Sequence, residues 1–521
     1  MWDAQRWGLP PEAIAELGER LYQFWERFRD CFTGRTRDPS RKAYDYLRAQ
    51  LTMDTERNFA NIERSLNRTD GQALQHFMSN SPWAGAGVFQ RIQMEITAAP
   101  ALAQGSTLIL DESADEKAGQ HNAGAARQWN GRLGKVDMSR VDTCLSYYNA
   151  EVGLQSDAQY TVKCALHFAE RTGSVPSHGY RCSVHGTVQT GRGAHFTLWM
   201  MVDGELFLPE EWFEEDFAEL RQELGIPKER CFETKIELGL KMVKRAKANG
   251  LPFDLLACDT LYGRASQFRA DLEAENVLYA TAVPANTHVY LSKPRVGVPE
   301  IRHKRGRTPT RPRVLSPHVV HEVRALARSR HTEWKRVQVR HFERGLLEAD
   351  FAVQRIWSVA AGQQPRAEWL VIRRAADGDC SYTLLNAPTD TPAERLIASS
   401  CQQYFTERTF QDAKSEIGWD DFRAQKYRAW EHHLALTALS LWFVAQTKLE
   451  WKQKYARDPE LARQLAVEVL PALSTANVRE LLKAVLPVPH FTPEEATDLI
   501  ITHLVNRARS TSSRLKSRVP P

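Results

Sequence analysis

Hydrophobic residues recur with helical spacing at both ends of the chain. In the first 30 residues, one helical face carries Ala13, Leu17, Leu21, Phe24 and Phe28. Similar patterns over residues 41–51 and 55–66 extend this period of 3.6 residues and predict a helical region over residues 1–100. The same spacing returns after Thr391 and is strongest over residues 427–448. We therefore expect helices on both sides of a central region.

Short apolar runs in the central region predict strands. Three runs come first, at residues 106–110 (STLIL), 143–148 and 195–202 (HFTLWMMV). A helical pattern over 234–248, a strand reading FDLLACD, a helix over 263–275 and a strand over 277–283 follow. Strands followed by alternating strands and helices predict an α/β (α+β) fold with a mixed sheet.

The pattern of the sequence changes after Pro284. Five prolines punctuate the next stretch, at positions 294, 299, 309, 312 and 317. Strand-like runs then appear at residues 336–339, 351–357, 369–372 and 382–385. We predict a β-rich insertion over 285–395, which divides a core into residues 101–284 and 396–450 and leaves a helical C-terminal segment over 451–521.

Composition excludes several protein classes. With 42% hydrophobic and 26% charged residues, the chain is neither disordered nor fibrous in composition. The apolar run over residues 434–445 is shorter than the ~20 residues that a membrane span needs, and the N-terminus carries no basic segment followed by an apolar run. Eight cysteines without a CxxC pair indicate free thiols. These features predict a cytoplasmic protein.

Positive charge is concentrated in two places. The chain has a net charge of +5, but residues 302–340 contain twelve Lys or Arg and two Glu, and the last sixteen residues are also basic. Concentrated cations attract polyanions, so nucleic acid is the expected partner, with a solvated basic loop as the alternative. The candidate phosphate contacts of the insertion are Arg302, Lys304, Arg305 and Arg307.

Two aspartates follow predicted strands. Asp111 ends the STLIL strand and Asp259 ends the FDLLACD strand. Residues just past strand ends project into the crevice where α/β sheets bind ligands, so these two acids could share a divalent cation. A helix cap or a turn is the alternative role for each of them.

A third acid lies on a predicted helix near residue 407. Lys414 returns to the helix face of Glu407 after seven residues, as do Gln403 and Gln411 at four-residue spacing. The pattern predicts one polar stripe, and a solvated helix face explains it equally simply.

Taken in order, these residues resemble a known family. Asp111, then Asp259 followed by Tyr262 and Gly263, then Glu407 with Lys414 at E-x6-K spacing resemble the DDE transposases of bacterial insertion sequences, specifically the insertion sequence 701 type. Further blocks in the same order support the resemblance: LQHFMSNSPW (74–83), ARQWNGRLGKVD (126–137), DGELFLPEEW (203–212), LLNAP (384–388) and GWDDFRAQKYRAWEHHLAL (418–436).

The resemblance implies a fold and a chemistry. The fold is an RNase H-like core interrupted by a β-rich insertion before the catalytic glutamate, with a DNA-binding helical region at the N-terminus. The chemistry is phosphodiester hydrolysis at element ends and transfer of the 3′ hydroxyl into target DNA (cut-and-paste transposition). Asp111, Asp259 and Glu407 would hold two Mg²⁺ ions, with Mn²⁺ as a substitute.

The resemblance also implies partners. These are double-stranded DNA, both the terminal inverted repeats of the element and the target, and further copies of the chain in a dimer or larger assembly associated with the nucleoid. Lys414, Arg127, Arg132 and Lys135 are the implied phosphate contacts outside the insertion.

The sequence departs from the family pattern near the glutamate. Gln403 and Ser400 stand where Arg and Tyr are expected. Glutamine cannot replace the charge of an arginine on phosphate. Two alternatives to a transposase therefore stay open: a catalytically silent relative that binds DNA, and a metal-dependent DNA nuclease without strand transfer.

An extra segment over residues 153–192 is a second departure. It contains two Cys-x2-His pairs, Cys164 with His167 and Cys182 with His185. Two cysteines and two histidines could form a structural zinc site. A plain β-hairpin is the alternative, because residues three apart on a strand point to opposite faces.

Overall fold

A computed structural model describes most of the chain. The described residues are 3–34, 38–66, 72–131, 133–149, 197–299, 310–315, 317–342, 345–360, 362–467, 470, 472–486 and the single positions 497, 501, 505 and 508. Nine residues singled out above lie outside them: Arg132, Cys164, His167, Cys182, His185, Arg302, Lys304, Arg305 and Arg307.

Helices occupy both ends of the described chain. Those before the sheet are Pro11–Ala15, Leu17–Glu26, Ser40–Thr52, Phe59–Ser65, Gln72–Asn80 and Gly85–Thr97. Those within the core and insertion are Ala218–Glu223, Lys235–Ala248, Thr260–Gly263, Ser266–Ala274 and Val323–Ala327. Those that follow are Ala393–Ser400, Tyr404–Gln411, Tyr427–Lys454, Leu461–Gln464 and Thr475–Val485, with a π-helical turn at Asp412–Glu416.

The described strands are numbered in chain order. The first six are β1 (Ser106–Glu116), β2 (Ala126–Asn130), β3 (Lys135–Asn149), β4 (Leu198–Leu206), β5 (Leu255–Cys258) and β6 (Tyr279–Val283). Four short ones follow: β7 (His288–Val289), β8 (Val296–Gly297), β9 (Arg313–Val314) and β10 (His321–Glu322). The last four are β11 (Lys335–Phe342), β12 (Gly345–Ser358), β13 (Arg366–Arg374) and β14 (Cys380–Leu385).

The centre of the molecule is a mixed sheet. Strands β1, β3 and β4 are antiparallel neighbours, and β5 and β6 continue on the other side of β1 in the parallel direction. The order β4-β3-β1-β5-β6 is that of an RNase H-like sheet. The predicted α/β (α+β) class, with helical regions on both sides of a large mixed sheet, is confirmed.

The long strands of the insertion extend the same sheet. β14 pairs antiparallel with β6, and β13, β12 and β11 add outward to make ten strands in one sheet. A buried ion pair joins the two parts, because Arg269 Nε lies 3.1 Å from Glu368 Oε1 of β13. Segment 285–395 is therefore β-rich as expected and continuous with the core sheet.

The helix Tyr427–Lys454 joins the N-terminal helices to the sheet. Most of its buried residues are apolar, and they include Trp430, Trp442 and Trp451. Polar contacts add to this packing: the Gln50 amide donates to Thr437 Oγ1 (2.9 Å), and the Gln93 amide donates to the Val202 carbonyl of β4 (3.0 Å). The N-terminal helices thus share one hydrophobic core with the sheet. None of the described helices is long and apolar enough to cross a membrane.

Candidate active site

Sheet register brings two of the predicted carboxylates together. Strands β1 and β5 run parallel, with Leu110 opposite Cys258. The next residues are Asp111 and Asp259, so they lie side by side where β5 ends. Asp259 follows the end of its strand as expected, but the expectation for Asp111 was wrong: β1 continues through it to Glu116, because these residues stay paired with β3. Adjacent strands are ~4.8 Å apart, which places both carboxylates within reach of one small cation.

Asp259 is fixed by the turn that follows it. Its Oδ1 accepts a hydrogen bond from the backbone N–H of Leu261 (2.9 Å), and it caps the short helix Thr260–Gly263. Gly263 packs directly on β6: a Cβ there would lie 1.9 Å from the Ala282 carbonyl oxygen. A side chain at position 263 would push this turn, and Asp259 with it, away from the sheet.

The Glu407 helix lies over the same face of the sheet. Phe405 packs on Ile109 of β1, Ala257 of β5 and Tyr148 of β3, and its ring stacks on Tyr148 with centroids 3.7 Å apart. Because side chains two residues apart on a strand share a face, Ile109 and Asp111 point toward this helix, as do Ala257 and the residue after β5. Glu407 itself is exposed to solvent.

The charges of the three predicted ligands act on one another. Burial, together with the negative charges of Asp259, Glu112 and Glu407, raises the pKa of Asp111 to about 8. Burial, followed by the charge of Glu112, also raises the pKa of Asp259. A carboxylate cluster of this kind is destabilised by its own charge until a cation neutralises it.

Glu112 is a fourth acid that sequence analysis missed. It accepts hydrogen bonds from Lys235 Nζ (2.9 Å) and Tyr262 Oη (3.3 Å), on the face opposite Asp111. This arrangement braces the turn after Asp259 against β1. Strand alternation could have placed Glu112 on the opposite face, but Lys235 is too distant in sequence for its pairing to be predicted.

Asp412 anchors the end of the Glu407 helix and was also missed. It begins the π-helical turn, a feature often found at functional sites. Its Oδ2 accepts hydrogen bonds from Trp199 Nε1 (3.0 Å) and Thr475 Oγ1 (2.6 Å). The ammonium of buried Lys448 lies 4.8 Å from the Trp199 ring centroid, and burial lowers its pKa to about 8 while the Asp412 charge opposes that shift.

The remaining part of the polar stripe faces an open cavity. Lys414 and Gln411 line a cavity of about 540 Å³ with residues 54–57, Ser415, Asp420 and Asp421. Lys414 Nζ lies 5.5 Å from the Trp419 ring centroid, and its charge reaches Cys144, the cross-strand neighbour of Asp111. Lys414 therefore lies on the site side of the helix.

The two positions that depart from the family pattern precede the Glu407 helix. Ser400 Oγ donates to the Ile397 carbonyl (2.7 Å), and Gln403 is the first residue before the helix. Arg408 does not replace the arginine that is missing at position 403. Its guanidinium donates to Gln411 Oε1 (2.6 Å) and lies 5.8 Å from the Trp199 ring centroid.

Arg127 and Lys135 are separated from the carboxylates. They lie on the hairpin of β2 and β3, beyond the end of β1. Both side chains are exposed. If they contact phosphates as predicted, those phosphates lie away from the reacting bond.

The donor set of the site suits a hard divalent cation. Carboxylate oxygens are the ligands that Mg²⁺ prefers, and a cation would offset the cost of burying the Asp111 charge. Within the described part of the chain, no three His, Cys, Asp or Glu side chains converge closely enough to form a ready-made metal site.

The chain is similar to known proteins. A family model described as DDE superfamily endonuclease matches residues 27–158 and 182–345, which include both aspartates and end before Glu407. A probable transposase for insertion sequence element IS701 from Microchaete diplosiphon is 22% identical over 388 residues, 74% of this chain and 77% of the relative. A cryo-EM structure of a piggyBac transposase synaptic complex with hairpin DNA matches 95% of this chain and 88% of its own at 11% identity, with a TM-score of 0.34. Because the family model covers more than half of the chain, this protein belongs to the DDE superfamily endonuclease family.

Proposed function

We propose that this protein is a DNA transposase that hydrolyses phosphodiester bonds at element ends and joins the freed 3′ hydroxyl to target DNA. The observation that carries the proposal is that Asp111 and Asp259 lie side by side, while Glu407 stands on a helix over the same face of the sheet and its charge reaches Asp111. Membership of the endonuclease family and the similarity to an insertion-sequence transposase support it.

Asp111, Asp259 and Glu407 are the proposed ligands of Mg²⁺, with Mn²⁺ as a substitute. Two such ions, when bound, activate the attacking oxygen and stabilise the leaving oxygen of the cleaved bond. The chain contributes the positions of the carboxylates: two are set by sheet register and the third by a helix that packs on the same face.

The DNA contacts of the proposal follow the cations around the site. The charge of Lys414 reaches Cys144, the cross-strand neighbour of Asp111, and Lys414 would contact a phosphate near the cleaved bond. The exposed Arg127 and Lys135 would contact phosphates farther along the duplex, together with the basic segment 302–340. Two DNA ends must meet for transposition, so we expect a dimer or larger assembly on DNA.

Cleavage and strand transfer test the proposal directly. The substrate is a supercoiled plasmid that carries the coding region's flanking DNA on both sides of a marker, incubated with Mg²⁺ or Mn²⁺. We compare the wild type with Asp111→Asn and with Asp390→Asn, a matched change at an exposed aspartate. Excision and joining by the wild type and Asp390→Asn, absent in Asp111→Asn, are expected.

Two other outcomes would replace the proposal. Cutting without joined products would identify a nuclease that does not transfer strands. Binding of the flanking DNA without cutting in either metal would favour a silent DNA-binding relative. Gln403, which lacks the charge of the arginine expected there, is the specific observation that motivates the silent alternative.

A further inference from the structure

A tryptophan is exposed at the end of the β2–β3 hairpin. Trp129 has 61% of its surface exposed, and its cross-strand neighbour Val136 has 49% exposed. Among the described residues, the indole makes no hydrogen bond and no ring contact. A large aromatic side chain left uncovered in this way is a typical feature of a binding surface.

The register of the sheet places Trp129 on the active-site face. Trp129 lies opposite Val136, and Cys144 on the same strand lies opposite Asp111. Val136 and Cys144 are an even number of residues apart on β3, so their side chains point to the same face. Neither the β2–β3 pair nor the β1–β3 pair contains a bulge, so their cross-strand neighbours Trp129 and Asp111 point to that face too. Trp129 is thus on the face that carries the candidate carboxylates.

The two sites are well separated along β3. Eight residues separate the neighbours of Trp129 and Asp111, which corresponds to roughly 26 Å of strand at ~3.3 Å per residue. Arg140 and Asp142, between them on the same face, are buried, so Trp129 is a contact separate from the carboxylates.

Positive charge accompanies the indole. Arg127 lies opposite Met138, two residues from Trp129 on the same face, is exposed, and forms no ion pair within the described residues. On the other face, Lys135 pairs with Asp137 (2.8 Å). Among the described residues, Arg127 is thus an exposed cation beside Trp129, and its charge also reaches Asp137. An aromatic face next to a guanidinium complements a base next to its phosphate.

We propose that Trp129 stacks on an unpaired nucleobase of the bound DNA, at a distance from the cleaved bond, while Arg127 contacts the adjacent phosphate. The inference rests on the proposed DNA-directed function and adds a binding site to it. Stacking does not depend on the identity of the base, so Trp129 would favour DNA with an unpaired stretch over a fully paired duplex.

The test measures binding to two fluorescent duplexes of the same mixed sequence in EDTA. One is fully paired and the other contains three unpaired thymines at its centre. We expect Trp129→Ala to weaken binding of the duplex with unpaired bases roughly 10-fold, in line with the loss of one stacked base, and to change binding of the paired duplex less than about twofold. Trp129→Phe should retain most of the affinity.

Leu278→Ala is the matched control. Leu278 is 40% exposed and precedes β6, at the end of the sheet opposite the carboxylates, so its loss should change neither affinity. Equal weakening of both duplexes by Trp129→Ala, or no weakening of either, would overturn the proposal. So would self-association of the wild type without DNA that Trp129→Ala abolishes, because the indole would then be a protein interface.

The result is separable from the test of the proposed function. Plasmid cleavage that is normal in Trp129→Ala, together with unchanged binding of both duplexes, removes the stacking site and leaves the transposase proposal intact. A wild type that cuts no plasmid but shows the Trp129-dependent preference removes the catalytic proposal and keeps the stacking site.

Discussion

The candidate ligands are held in two different ways. Asp111 and Asp259 stand on neighbouring parallel strands, where backbone hydrogen bonds set their separation. Glu407 stands on a helix of eight residues that rests on the sheet through Phe405 and is tied at its end through Asp412. A strand register cannot shift without exchanging every partner, whereas a helix can tilt by small adjustments of its side-chain contacts. The aspartates are thus the rigid half of the site, and Glu407 is the half that depends on support.

The largest expected effect comes from Glu407 itself. Glu407→Gln keeps the size of the side chain but removes a charge that would bind the cation, so Mg²⁺-dependent plasmid cleavage should fall by about 10³-fold or more. Affinity for the flanking DNA, measured by fluorescence anisotropy in EDTA, should stay within about twofold. Glu229→Gln, at an exposed glutamate outside the site, is the control. Normal cleavage by Glu407→Gln would remove this residue from the active site.

A smaller effect is expected from the contacts that tie down the helix. Trp199→Phe and Thr475→Val each remove one donor to Asp412 while they preserve most of the packing. Groups that orient metal ligands typically contribute 10- to 100-fold to metal affinity, so we expect the Mg²⁺ concentration for half-maximal cleavage to rise roughly 10-fold. Thermal unfolding without metal separates positioning from folding.

The Trp199 and Thr475 variants can also show that Glu407 does not depend on support. If cleavage falls only in proportion to the loss of folded protein, at an unchanged Mg²⁺ requirement, then Asp412 supports the fold and Glu407 needs no positioning. Asp412→Asn is less informative, because it would also leave the buried Lys448 without the carboxylate that opposes its pKa shift.

The smallest effect concerns stability and pH. Since the pKa of Asp111 is raised to about 8 in the folded protein, the folded state binds more protons than the unfolded state between about pH 4 and pH 8. Stability without metal should therefore fall as pH rises through this window. Asp111→Asn should reduce this loss of stability with rising pH. Mg²⁺ should reverse the loss in the wild type only. The denaturant midpoint, measured at pH 5, 6.5 and 8, gives the dependence of stability on pH. An equal dependence in the wild type and in Asp111→Asn would contradict the raised pKa of Asp111.

Much of the fold could be predicted from sequence because its elements are locally encoded. The apolar runs before Asp111 and Asp259 became β1 and β5, and the helical pattern over 427–448 became a helix that extends to Lys454. The β2–β3 hairpin was harder to predict, because Trp129 and Val136 are exposed and blur the alternation that marks a half-buried strand. The domain boundaries and the site roles stay predictions.

The sequence by itself determined which residues could carry the chemistry. Two aspartates that follow apolar runs and a helical glutamate, with Lys414 seven residues on, were identifiable because strands and helices have fixed periods, and a family resemblance ordered them. The tertiary structure decided what depends on residues far apart in the chain: the pairing of β14 with β6, the bracing of Asp259 through Glu112 and Lys235, and the anchoring of Asp412 by Trp199 and Thr475. Such contacts form only when the whole chain packs, so no local pattern specifies them.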